Sequence, residues 1–244
     1  MNCALLAPAA ALAGLLAPAA ITATTQPPAQ TVTLVAYDSF PNKPDSPLVQ
    51  ALAEFTAATN ITVAIVNAGD TGTMVTKAAL TAGNPEGDVM WGVDNTFLSA
   101  AVNGRVFDGE PIPVDTGDVC VNYDLAYFAD HQLAPPVTLD DLLKPEYRDL
   151  LVVENPGTSS PGLAFLLATI AHRGEGGWQD YWRALRANGV AVVDTWDIAY
   201  YERFSGSGGG DRPMVVSYAS SPPAEVVLSD PPRAEAATGV AAET

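Results

Sequence analysis

Positive charge is what this sequence lacks most. It holds 11 lysines and arginines against 28 aspartates and glutamates, a formal net charge of −17 over 244 residues. A surface this negative repels nucleic acid and anionic lipid and favours cationic partners, besides keeping a protein soluble. Histidine is almost as scarce, with only His131 and His172. His131 stands beside Asp130 in a loop-like stretch. His172 lies near the end of a helical one, where a cation is favoured structurally. Neither histidine belongs to a metal-ligand spacing. No GxSxG stretch occurs, and no base stands ready to activate a serine. The expectation is therefore no catalytic residue, no metal and no cofactor. Of the two cysteines, Cys3 falls in an apolar leader. Cys120 is then alone in the mature chain, which excludes an intramolecular disulfide.

Hydrophobic residues make up 48%, so the chain is not a disordered one, and its length suits one large domain or two lobes with separate cores. No charge precedes Asp38, and positions 4 to 20 are Ala, Leu, Pro and Gly only. That run reads as the h-region of a secretory signal peptide without its basic n-region. Pro8 and Pro18 weaken the competing reading, a membrane span. Ala17, Ala19, Ala20 and Ala23 offer cleavage points. Residues 1–30 thus read as signal peptide and flexible lead-in. The protein is expected to be exported, periplasmic or extracytoplasmic, with a membrane anchor only if translation starts upstream.

From Thr31 the pattern is regular. TVTLVAYD and ITVAIVNA are β-branched runs of strand length. Between them LVQALAEFTAAT spaces Leu48, Leu52 and Phe55 as a helix does, with Asn60 placed to cap its end. A helix ending at Gly83, a strand DVMWGV and a helix ending at Gly104 follow. Three strand–helix alternations argue for a parallel α/β sheet. PIPVDTGDVCVNYD has strand character, and LAPPVTLDDLL carries a capping box from Thr138 to Asp141. LLVVENP, VAVVDTW and PMVVSY are further strands, separated by the helical stretches TSSPGLAFLLATIAHRG and DYWRALRANG. The architecture expected is two α/β lobes, residues 31–113 and 114–220. The GSGGG at 206–210 reads as a mobile loop, because no helix with Lys-Ser/Thr follows it. After Pro222 no complete strand–helix unit remains. Residues 221–244 are expected to head back toward the first lobe and leave it incomplete.

In open α/β sheets ligands collect at the carboxyl ends of strands. Those ends hold Tyr37 and Asp38; Asp70 and Thr71; Asp94 and Asn95; Asp115; the Thr158–Gly162 stretch; Trp196; and Tyr218. Rings and carboxylates recur there with few cations. The set suits an aromatic, positively charged small molecule, which ring faces and carboxylates both attract. Each ring alone reads more simply as a core or rim residue. Ser159 or Ser160 caps a helix with Pro161 in its first turn, an arrangement able to hold a phosphate or hydroxyl group. Tyr200 and Tyr201 could in principle ligate iron, but the helix-like DIAYYERF makes one ring buried and the other exposed.

The ordered series TVTLVAYDSF, DVMWGVDNTFL, PVDTGDVCVNYD, ENPGTSSPGLAFLLA, VVDTWDIAYYERF and VVSYASSPPAEV resembles the thiamine-binding periplasmic proteins of ABC importers, over roughly residues 31 to 230. The resemblance implies the two-lobed, type II-like periplasmic binding protein fold. It implies a monomer that closes on thiamine or a thiamine phosphate and delivers it to an ABC permease in the membrane. By position, Tyr37 and Tyr218 match the aromatic walls of the pocket. Trp196 and Ser159 match contacts near the hydroxyethyl or phosphate end, Asp70 and Thr71 a loop at that same end, and Asp94 the family's Asp-Asn. Three features depart from the family: PNKP stands where a Trp is usual, the link from Phe107 to Val114 is short, and the C-terminal segment that adds another aromatic is missing. The alternatives are the same fold with a polyamine, ferric iron or an anion as ligand, a secreted hydrolase, and a non-functional truncated fragment.

Overall fold

The computed structural model describes residues 28–229 and 231–241. The signal-peptide reading falls almost wholly outside the described residues. Among those that are described, no helix is long and apolar enough to cross a membrane.

Two sheets form two lobes. In the first, β1 (Gln30–Ala36) lies between β2 (Ile61–Asn67) and β3 (Val89–Trp91), all parallel, in the order β2-β1-β3. The period of two in β1 sends Leu34 and Ala36 to one face and Val35 to the other. Leu34 and Ala36 pack with Phe40, Leu48, Val63 and Ile65. Val35 packs with Ala68, Met74 and Met90. Helix α1 (Pro47–Thr59) covers the first face and α2 (Thr71–Leu80) the second. Ser46 caps α1 by accepting from the Val49 N–H at 3.2 Å, and Asn60 closes it in the left-handed region at φ 61°. A third helix, α3 (Leu98–Asn103), ends against Gly104 as the sequence suggests.

The second sheet has five strands in the order β6-β5-β7-β4-β8. Strand β5 (Leu151–Glu154) is parallel to β6 (Ala191–Val193) and β7 (Met214–Tyr218), while β4 (Val119–Asp124) is antiparallel to β7. The helices between them are α4 (Leu125–Asp130), α5 (Ser160–Arg173) and α6 (Trp178–Ala187). Val121, Val153, Phe165, Tyr181, Leu185, Met214 and Val216 form the larger core on one face. Val152, Ala199, Tyr200, Phe204 and Val215 fill the other. The Thr138–Asp141 capping box forms as expected and starts a short 3-10 helix, Leu139–Leu143. Cys120, the one cysteine among the described residues, is buried in β4 and unpaired.

Two expectations need correction. The segment after residue 220 does not turn back to the first sheet. It forms α8 (Ser221–Leu228) and then β8 (Thr238–Val240), which pairs antiparallel with the free edge of β4. The physical reason is Glu225, whose carboxylate accepts from the Ala237 N–H at 3.1 Å and the Thr238 hydroxyl at 2.7 Å and so clamps the segment to the second lobe. The glycine-rich run forms a helical turn instead of an open loop: α7 (Ser205–Gly208) packs on the backbone of Tyr201. The DIAYYERF stretch is a π-helical turn, Ile198–Arg203. It buries Tyr200 and leaves Tyr201 exposed, the split expected of that pair.

Candidate ligand-binding site

A cleft of about 2090 Å³ lies between the two sheets, where the carboxyl ends of β1, β3 and β7 meet. Nine carboxylates and three basic side chains line it: Asp70, Glu86, Asp88, Asp94, Asp108, Glu110, Asp115, Asp118 and Glu225 against Lys77, Arg105 and Arg233. Lys77 is already paired with Glu86 at 2.7 Å. A cleft walled by one sign of charge concentrates cations.

Tyr37 and Tyr218 reach the cleft from opposite lobes. Tyr37 lies flat against Gly92, whose φ is 106°; a Cβ there would come 2.2 Å from the ring. Glycine at this position thus provides both the backbone conformation and the room for the ring. Burial raises the Tyr37 pKa, and the charges of Asp115 and Asp70 add to the shift. Burial also raises that of Tyr218, followed by Asp94, Asp70, Glu154 and Tyr37 itself. Both phenol rings thus face carboxylates across the cleft, with Asp70 common to the two. Trp196 lines the same cleft. It stacks on Tyr200 at 4.7 Å between centroids, and its indole N–H donates to Ser217 Oγ at 2.9 Å. That indole N–H is therefore committed within the protein.

The carboxylates do structural work as well. Asp70 caps α2: Oδ1 accepts from the Thr71 N–H at 2.7 Å and Oδ2 from the Trp196 N–H at 3.1 Å. Burial raises its pKa, opposed by the Ser159 hydroxyl and the two N–H groups. The Thr71 hydroxyl donates to the Gly92 carbonyl at 3.1 Å, which ties α2 to the end of β3. Asp94 Oδ1 accepts from the N–H of Thr96 at 2.7 Å and of Phe97 at 3.2 Å, an Asx turn that leads into α3.

Two expected site residues do not line the cleft. Asp38 accepts from the Gly69 N–H at 3.0 Å and so braces the loop that leads to Asp70. Ser159 is fully buried at the start of α5, and Ser160 takes the place at the wall. The Ser160 hydroxyl meets no partner at hydrogen-bonding geometry among the described residues, and the Ser159 hydroxyl faces the Asp70 carboxylate without closing a well-formed hydrogen bond. One residue that the reading of strand ends passed over joins the site, Trp91, and a second, Glu154, is buried close by without lining the cleft. Trp91 ends β3, lines the cleft and meets Phe40 edge-on at 6.0 Å; the signal for it was Gly92, which cuts the DVMWGV strand short and leaves Trp91 at its carboxyl end. Glu154 ends β5 with a fully buried side chain and both carboxylate oxygens unpartnered. No sequence signal marks that burial, since a strand ending in Glu usually ends in water.

Residues 93–218 match the family model described as bacterial extracellular solute-binding protein. The thiamine-binding periplasmic protein of Salmonella typhimurium is 28% identical over 210 residues, 80% of this chain and 62% of that one. Its namesake from Brucella suis is 26% identical, over 84% and 64% of the two chains. The chain thus spans somewhat over three fifths of the length of these relatives. Among solved structures, a periplasmic thiamin binding protein superposes with a TM-score of 0.70 at 23% identity, over 86% of this chain and 67% of that one. The periplasmic binding protein AfuA from Actinobacillus pleuropneumoniae superposes at 0.59 with 14% identity, over 78% and 63%. Two α/β lobes, a cleft at their strand ends and a family match across more than half the sequence agree: the chain belongs to the bacterial extracellular solute-binding proteins.

Proposed function

We propose that this protein captures thiamine or a thiamine phosphate outside the cytoplasmic membrane and hands it to the permease of an ABC importer. The observation that carries the reading is the pairing of Tyr37 and Tyr218 across a cleft lined by nine carboxylates. A thiazolium is an aromatic cation. Its charge gains from ring faces and carboxylates, as a polyamine's would, but its flat ring also stacks on the phenols, which a polyamine cannot do, and an anion gains from neither. Tyr37, Tyr218, Asp70, Thr71, Asp94 and Trp196 form the binding wall. Asp38 and Ser159 support it from behind. The names of the Salmonella and Brucella relatives favour the same ligand. Binding requires no covalent chemistry; the ligand favours the closed arrangement of the lobes by touching both. Export through an N-terminal signal peptide and action as a monomer complete the proposal.

The test is a thermal melt of the protein with thiamine, thiamine monophosphate, spermidine and ferric citrate in parallel. Thiamine at about a hundred times its Kd adds about 2.7 kcal/mol to the native state, a shift of several degrees. Stabilisation by spermidine or iron in place of thiamine refutes the ligand assignment.

A further inference from the structure

Three contacts between the lobes converge on the first turn of α2. The Gly72 N–H donates to the Thr158 carbonyl at 2.7 Å. Asp70 Oδ2 accepts from the Trp196 N–H at 3.1 Å. Leu163 of α5 packs on the cluster formed by Val75, Phe97 and Ala101. All the atoms in these contacts belong to the protein. Asp70 has both carboxylate oxygens engaged, one by the cap of its own helix and one by the opposite lobe. Gly72 lies inside a helix, where glycine is a poor choice on propensity. Space accounts for it: a Cβ there would come 2.6 Å from the Gly157 carbonyl oxygen and 2.8 Å from the Phe97 ring. No side chain fits between the helix and the facing turn while the lobes stand at this distance.

We propose that Asp70 and Gly72 form an interlobe latch. Gly72 admits the Gly157–Thr158 turn to the backbone of α2, and Asp70 holds the docked position through the Trp196 N–H. This inference rests on the reading of the protein as a receptor that closes on its ligand, and it gives Asp70 a second task besides its place in the binding wall: with Gly72 it sets the closing equilibrium, which the distances without ligand report. A receptor that spends less time closed binds more weakly in proportion to the closed fraction lost.

The test is pulsed electron resonance on the 244-residue chain with spin labels at Gln50→Cys and Gln179→Cys, exposed positions on α1 and α6, and with Cys3→Ser in the background. Distances are taken with and without thiamine for the parent, Gly72→Ala, Asp70→Asn and the control Gly176→Ala, a site where a Cβ meets nothing within 4 Å. The amide of Asp70→Asn keeps one acceptor for the helix cap and replaces the other with a donor, which cannot receive the Trp196 N–H. Both latch variants should lengthen and broaden the interlobe distance and weaken thiamine about tenfold or more; Asp70→Asn should do so at an unchanged melting temperature, while Gly72→Ala, whose Cβ also meets Phe97 of its own lobe, should melt somewhat lower. The control should match the parent. A purely structural role for either residue would lower the melting temperature and leave the distance alone, and that result overturns the proposal. If Gly72→Ala does not fold, Asp70→Asn decides alone. A parent as open as both variants under every condition also refutes the latch. A parent that closes but ignores thiamine refutes the receptor's ligand while the variant distances still judge the latch.

Discussion

Glu154 offers the sharpest test of how the second lobe is built. Its side chain is fully buried and neither carboxylate oxygen has a partner. It is wedged where α5 meets β5, so closely that a Cβ at Gly162 would come 2.5 Å from its carbonyl oxygen. Burial lifts its pKa well above the ordinary glutamate value, reinforced by the charge of Asp70. The native state therefore keeps a proton that the unfolded chain releases above a pH of about 4.3. Between that pH and the native pKa, stability falls as pH rises, by about 1.4 kcal/mol for each unit. Glu154→Gln removes the titration and keeps the shape. The unpartnered amide costs a roughly constant 1–3 kcal/mol, so the slope is informative and the level is not. Urea unfolding of both proteins, followed by circular dichroism between about pH 5 and 7, gives the difference in stability at each pH. Asp70 and Asp197, also raised by burial, contribute to both curves and largely cancel. The variant should gain on the parent as pH rises, by about 1.4 kcal/mol for each unit over which the native carboxyl keeps its proton. Parallel curves would refute the claim that this carboxyl is buried as a neutral acid.

Three further outcomes are expected. Tyr218→Ala should weaken thiamine by about tenfold or more in calorimetric titration while Tyr218→Phe keeps most of the affinity, since the ring face and not the hydroxyl attracts the cation, worth about 1–2 kcal/mol; equal losses would argue for a hydrogen bond instead. Gly92→Ala should both destabilise the first lobe by about 1–3 kcal/mol in denaturant melts and disturb binding, because the new methyl would strike the Tyr37 ring at a strained φ. Phe165→Ala, at a fully buried position of the larger second-lobe core, should cost about 3–5 kcal/mol of unfolding free energy, and a loss below about 1 kcal/mol would mean that α5 is held by other contacts.

The first lobe was readable because its signals are local. β-branched runs, a 3.6-residue spacing and caps such as Asn60 and Gly104 sit next to one another in the chain, and the helices and strands form where those signals fall. The far edge of the second sheet was not readable, because nothing in Thr238–Val240 resembles a strand. Those three residues become one only through the exposed edge of β4 and the distant carboxylate of Glu225. The π-helical turn is a similar case, set by Tyr200, which stacks on Trp196 and donates to Glu225 at 2.7 Å. At the site, the strand-end rule found six of the eight expected residues on the cleft wall. It placed Asp38 and Ser159 there too, because it fixes where a residue stands along the chain and not which way its side chain turns. Glu154 escaped for the opposite reason: it ends a strand as a surface residue would, and only the packing of α5 over it removes it from water.

The isolated thiol in β4 makes the protein its own clock. Cys120 sits between strands β7 and β8, is 6% exposed, and has its pKa pushed up to about 11, chiefly by burial and then by Asp118. A thiol reagent in neutral buffer finds neither access nor thiolate there until the strand pair parts. In a Cys3→Ser chain, the rate of modification then counts openings of the second sheet directly, with no introduced probe. A ligand that binds only while the second sheet is intact should slow that rate by a factor of about 1 + [L]/Kd. One residue would then translate occupancy of the cleft into elapsed time.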